Sequence, residues 1–213
     1  MRFFIDTAKV EEIKKANDMG VIGGVTVVPS LIAGEGRGFG EAITEILSVI
    51  DGPVSCEVSA DIVDAEDMIA EGRAIAAIHP NMVVKLPMTA EGMKACRTLA
   101  AEGVRINMAM MFSANQALQA ARAGAAYVSP FSGRLNDVNQ RGVDLIREVA
   151  DLFSVCEVDT QIIATNVHDP ARIADCELAG ADIAAAPYGV LEQISRKPQT
   201  DTDSAKAAVE HKA

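Results

Sequence analysis

The sequence predicts an α/β protein built as a single (β/α)8 TIM barrel. Three observations predict it. Short apolar runs of strand length alternate with stretches of helical spacing from end to end. Eight such alternations fit into 213 residues, near the lower size limit of the barrel and within the range of one domain. No G-x-G-x-x-G follows the first run, so the doubly wound open sheet, which is the alternative, lacks its usual mark.

The expected strands are Arg2–Asp6, Ile22–Thr26, Val54–Val58, Met82–Leu86, Arg105–Met110, Ala126–Ser129, Gln161–Thr165 and Asp182–Ala185. Each is a short apolar run, as strands of a parallel sheet buried on both faces should be. Between them, Val10/Ile13, Met68/Ile75/Ile78 and Val143/Ile146/Ala150/Phe153 carry helical spacing. Two helix starts are signalled directly. Ser113-x-x-Gln116 reads as a capping box, and Asp169-Pro170 as a cap followed by proline in the first turn. Ala123-Gly124-Ala125 and Ala179-Gly180-Ala181 form an internal echo, each ending a helix, entering a strand and reaching a proline soon after. No linker divides the chain, so residues 1–213 are expected to form one domain. The tail from about residue 199 to 213 holds enough Ala, Lys and Glu for one further helix, which would cover a surface or reach a neighbouring subunit.

Composition excludes several classes of function. Hydrophobic residues make up 49%, yet no stretch approaches a membrane span and the N-terminus lacks a signal-peptide pattern. Cys56, Cys96, Cys156 and Cys176 are scattered without a CxxC, as reduced thiols in a cytoplasmic protein would be. Three histidines are too few for a histidine-rich metal site. A net charge of −11 argues against nucleic acid or an anionic membrane as partner. It also requires a local cation wherever an anionic substrate binds.

Lys85 carries the strongest chemical signal. It lies at the end of Met82-Val83-Val84, with Pro87 stopping the run. An unpaired ammonium buried there costs several kcal/mol, and burial favours the neutral amine. A neutral amine in a closed site is what imine formation with a carbonyl needs. The bland alternative is a lysine that snorkels to solvent. The other strand ends are Asp6, Thr26 with Val27 and Val28, Glu57, Asn107, Ser129 and Asn166. In this barrel the active site forms at those ends, and two carboxylates facing a lysine on one rim are more than helix caps. Arg134, after the sixth strand, could supply the local cation, or could form a surface salt bridge.

These residues resemble the small transaldolase family that includes fructose-6-phosphate aldolase, which are class I Schiff-base aldolases. The resemblance spans the chain. It rests on Phe3-Phe4-Ile5-Asp6-Thr7-Ala8, Gly24-Val25-Thr26 with Pro29-Ser30-Leu31-Ile32-Ala33, and Val83-Val84-Lys85-Leu86-Pro87-Met88-Thr89. Phe112-Ser113-Ala114-Asn115-Gln116-Ala117, Tyr127-Val128-Ser129-Pro130-Phe131 and Gly133-Arg134 continue it. It implies that Lys85 forms the imine with a ketose donor, that Asp6 is the acid/base, and that Glu57 helps hold a catalytic water. It further implies that Asn107 and Ser129 bind the hydroxylated donor and Arg134 the acceptor phosphate. Thr26, Phe131, Asn166 and His168 complete the expected substrate-binding set. Such chemistry calls for no cofactor or metal, and the family implies a pentamer or a decamer.

The chain also departs from the family. Thr26-Val27-Val28-Pro29-Ser30 stands where the family usually reads Thr-Thr-Asn-Pro-Ser, so Val28 replaces an amide. Ala109 replaces the threonine that shares the catalytic water. Thr165-Asn166-Val167-His168 stands in the phosphate segment, where a serine and an arginine are usual, and Ser59–Asp64 is slightly longer than the norm. Each lost hydrogen bond to a buried polar partner is worth about 1–3 kcal/mol. Two functions therefore compete: Schiff-base aldol cleavage or transfer with an altered substrate, and a non-catalytic barrel that binds a sugar phosphate or serves assembly. Retention of Lys85, Asp6 and Glu57 favours the enzyme.

Overall fold

The eight apolar runs pair in chain order, all parallel, and close on themselves. In the computed structural model, which describes residues 1–130, 140–196, 200 and 202–204, the strands are β1 (Arg2–Asp6), β2 (Ile22–Val27), β3 (Val54–Glu57) and β4 (Met82–Pro87), followed by β5 (Ile106–Met111), β6 (Tyr127–Pro130), β7 (Gln161–Ala164) and β8 (Ile183–Ala186). The barrel order is β1 to β8 in sequence, with β8 pairing back onto β1. Boundaries move by a residue or two from expectation. Val58 leaves β3 although its N–H still donates to the Lys85 carbonyl, and β7 stops before Thr165.

Helices fill the intervals: α1 (Val10–Asp18), α2 (Pro29–Gly34), α3 (Phe39–Val49), α4 (Ala65–Ala76), α5 (Ala90–Ala101), α6 (Ala114–Arg122), α7 (Gln140–Val155), α8 (Pro170–Leu178) and α9 (Tyr188–Ser195). The interval between β2 and β3 holds two helices, broken within the glycine-rich stretch 34–38. The expected tail helix lies almost wholly outside the described residues.

The capping signals hold with one adjustment. Ser113 Oγ accepts from the Gln116 N–H, but the Gln116 side chain accepts from the N–H of Phe112 rather than that of Ser113. Asp169 accepts from the Ala171 N–H, with Pro170 in the first turn. The internal echo is a repeated C-terminal motif. Gly124 and Gly180 adopt φ of 102° and 101°, and the following N–H of Ala125 or Ala181 reaches back to the carbonyl of Ala120 or Cys176. Only glycine adopts that backbone without strain, and the resulting Schellman turn aims the chain into the next strand.

Two apolar cores follow from the alternation of side chains along each strand. The larger lies between the barrel and its helices, built on residues such as Ile5, Val25, Val84, Leu86, Met108 and Val128. The smaller fills the barrel interior with Phe4, Val83, Tyr127, Ile163, Ile183 and Ala185. Asp6, Lys85, Ser129 and Thr165 each stand two residues beyond a member of that inner plug, and so share its inward face. The plug closes the barrel below them, and the polar layer at the carboxyl ends sits on a dry floor.

Candidate active site

That polar layer lines a cavity of about 200 Å³ formed by Asp6, Thr26, Val28, Glu57, Lys85, Ala109, Met110, Ser129, Thr165 and Asn166. Strand register brings the groups level. Asp6 is paired with Thr26, Glu57 with Lys85, Lys85 with Asn107, and Ala109 with Ser129. Most of the expected site therefore converges from β1 to β7.

Lys85 Nζ donates to Glu57 Oε2 at 3.1 Å, and the two side chains are only 17% and 19% exposed. The lysine is thus not the unpaired cation considered from sequence. A carboxylate one strand away accepts from it, in a setting where a charge-assisted bond is stronger than at a surface. Asp6 lies within the field of both Lys85 and His168. Burial pushes its carboxyl above the ordinary aspartate value of 3.8, and the nearby Lys85, with a lesser contribution from His168, opposes that shift without cancelling it.

A hydrogen-bonded chain crosses the barrel behind this pair. Ser129 Oγ donates to Asn107 Oδ1 at 2.8 Å, and Asn107 Nδ2 donates to Ser55 Oγ at 3.1 Å. Asn107 is 1% exposed, and its amide both donates and accepts within this chain. It therefore supports Ser129 from behind, whereas Ser129 itself faces the cavity. Ser55 joins the site without a place in the sequence reading, its signal being a hydroxyl two residues before Glu57 on the same inward parity.

Two backbone distortions shape the upper wall. Met110 and Asn166 adopt φ of 58° and 57°, a left-handed conformation uncommon for residues other than glycine. At Met110 the β5–β6 register shifts between Ala109 and Met111, so the methionine bulges out of the ladder toward the cavity. Asn166 follows β7, beyond Ala164, and reaches the cavity by this turn. Met110 has no signature of this in the sequence, whereas asparagine is among the residues that adopt the conformation most readily after glycine.

His168 is exposed and does not line the cavity. Phe131 and Arg134 lie outside the described residues. Among the described residues, no group of three His, Cys, Asp or Glu side chains is placed to hold a metal ion, and no helix is long and apolar enough to cross a membrane.

Comparison with known proteins agrees with this geometry. Residues 3–213 match the family described as transaldolase/fructose-6-phosphate aldolase. A probable transaldolase of Agathobacter rectalis is 58% identical over 213 residues, covering 100% of this chain and 98% of its own. One from Lachnoclostridium phytofermentans is 59% identical with the same coverage. Probable transaldolase 1 of Listeria monocytogenes is 57% identical over 95% of this chain and 94% of its own. Among solved structures, the carboxyl transferase domain of Rhizobium etli pyruvate carboxylase aligns with a TM-score of 0.63 at 11% identity, over 87% of this chain and 39% of that one. This last likeness concerns the barrel alone. With full-length matches of this strength beside a lysine–carboxylate site at the carboxyl rim, the chain belongs to the transaldolase/fructose-6-phosphate aldolase family.

Proposed function

We propose that the protein cleaves or transfers a dihydroxyacetone-type unit through an imine on Lys85. The observation that carries the reading is the Lys85–Glu57 pair, set in a small cavity with a second, protonation-prone carboxyl at Asp6. The Lys85 amine adds to the ketone carbonyl of the donor, and loss of water gives the imine. Asp6 takes the proton of the hydroxyl on the second carbon from the imine as the bond between that carbon and the first one breaks. The bonding electrons pass into the imine as an enamine, and an aldehyde departs. Addition of the enamine to a second aldehyde, or its protonation, completes transfer or cleavage, and water releases the lysine. Glu57 takes up and returns the protons exchanged as water enters and leaves.

An acid whose pKa lies above its ordinary value holds and releases a proton nearer the working pH, which suits Asp6 to this role. Thr26, Ser129 and Asn166 offer hydroxyl and amide groups to the donor hydroxyls, and Arg134 with His168 takes an acceptor phosphate. A homo-oligomer in the cytoplasm, a pentamer or a decamer, is part of the same reading, and light scattering that gives a monomer at micromolar concentration refutes that part.

Incubation with dihydroxyacetone or fructose 6-phosphate and borohydride tests the chemistry. Mass should be added at Lys85 alone. Labelling that persists in Lys85→Ala overturns the assignment.

A further inference from the structure

Beside the catalytic cavity lies a second, larger one of about 550 Å³. The two share Glu57 and Met110 as a common wall. The second is lined mainly by Val58, Ile62, Val63, Met68, Pro87 and Met110. We infer that this annex receives the apolar tail of an aldehyde partner whose carbonyl reacts at the Lys85 site. The inference rests on the Schiff-base reading above and names a class of substrate for it: unbranched or aromatic aldehydes without a phosphate.

Three features point to an apolar organic tail. No lysine or arginine lines the annex, and its acidic groups are Glu57, bound to Lys85, and Glu91, bound to Lys94. A phosphate would find no cation there, and a hydroxyl few partners. Next, the walls are fixed in advance. Ser59 donates to Glu71 from both its N–H and its hydroxyl, at 2.9 and 2.7 Å, and the Ala65 N–H donates to Glu91. This anchors both ends of the stretch 59–64, the segment that the sequence shows as long. Finally, the partition is Met110, a flexible thioether brought there by the bulge and left 43% exposed. Val63, at 74% exposure, leaves an apolar lip on the annex. A donor and its aldehyde partner share the 200 Å³ catalytic cavity, and a tail that outgrows it has the annex beside it. The annex adjoins the catalytic cavity across Glu57 and Met110.

The test is kcat/KM for addition of hydroxyacetone to acetaldehyde, butanal, hexanal and octanal, alongside borohydride trapping with hydroxyacetone alone. In the parent protein kcat/KM should rise about two- to fourfold per methylene until the annex is filled. Ala60→Trp and Val63→Glu alter exposed lining residues outside the catalytic cavity. Both should flatten the series while leaving acetaldehyde within about twofold of the parent. Imine trapping with a flat parental series overturns the annex and leaves the mechanism standing. Failure to trap with any ketone removes the mechanism and this inference together. An unchanged series in both variants overturns the annex. So does a flat series in which Val63→Glu lowers the oligomer mass, since the groove is then a contact between copies of the chain.

Discussion

Lys85 and Glu57 face each other from adjacent strands at one level of the barrel, joined by a bond of 3.1 Å. Parallel pairing fixes this relationship, because Glu57 is the register partner of Lys85 and both side chains point inward. Removing the charge while keeping the shape isolates what the carboxylate contributes. Glu57→Gln should lower kcat by roughly one to two orders of magnitude, comparable to the about 1.5–3 kcal/mol of a hydrogen bond to a charged group. Borohydride trapping at Lys85 should persist, whereas Lys85→Ala loses both. An unchanged kcat in Glu57→Gln would leave the carboxylate with a structural role alone.

Asp6 sets a pH dependence of stability whose sign follows from its direction of shift. Its carboxyl is raised above 3.8 by burial, so the folded protein holds that proton more tightly than the unfolded chain does. Below the unfolded value the group is neutral in both states and costs nothing. As pH rises through the folded value, ionisation in the buried site takes stability away. Asp6→Asn should therefore melt at a higher temperature than the parent at pH 7, and the difference should close as pH falls below about 4. The same variant should lose most of its turnover. A melting temperature at pH 7 equal to or below the parent's contradicts the burial account.

The strand order and most of the site were legible in the chain because both follow from periodicity. An apolar run that ends in Asp, Glu, Lys or Ser places that residue on a rim, and β-pairing in chain order brings the rims together. What stayed hidden depends on backbone angles or on partners. Met110 reads as one more apolar residue of β5, and only its φ of 58° turns it to the cavity. Asn107 reads as a strand-end ligand, and its bonds to Ser55 and Ser129 do not follow from its place on β5. The pairing of Lys85 with Glu57 needs a register that no single strand encodes.

Thiol chemistry should separate the four cysteines. Cys56 and Cys96 are pushed up to about 12, chiefly by burial, so their thiolate fraction at pH 8 is on the order of one in ten thousand. Cys176 is buried as well, while Cys156 is partly exposed. A disulfide reagent added to native protein at pH 8 should modify Cys156 alone, and all four thiols once the chain is unfolded. Rapid native labelling of Cys56 would mean that β3 opens, and with it the strand that carries Glu57.

Val28 and Ala109 are the two apolar walls of the catalytic cavity where a polar side chain would meet a hydroxylated donor. Val28 also occupies the N-cap of α2, at φ −112° and ψ 135°, and makes no side-chain cap bond there. Asparagine at this position serves twice. Its oxygen can accept from a first-turn N–H, and its NH2 is then turned toward the cavity. The cap alone is worth about 0.5–2 kcal/mol, so Val28→Asn should raise the melting temperature. Ala109 stands beside Ser129 in the ladder, where threonine suits a strand and adds a hydroxyl near the Lys85–Glu57 pair. Together the two changes should increase transfer of a dihydroxyacetone unit tenfold or more, about 1.4 kcal/mol of barrier. Selectivity should tighten in parallel. The parent should accept hydroxyacetone nearly as well as dihydroxyacetone, because an apolar wall discriminates by only about 1–3 kcal/mol, whereas a site built around a hydrogen bond rejects the donor that lacks it. A higher melting temperature without faster transfer would show that the new amide caps α2 but does not meet the donor, and that the cavity is shaped for a less hydroxylated substrate.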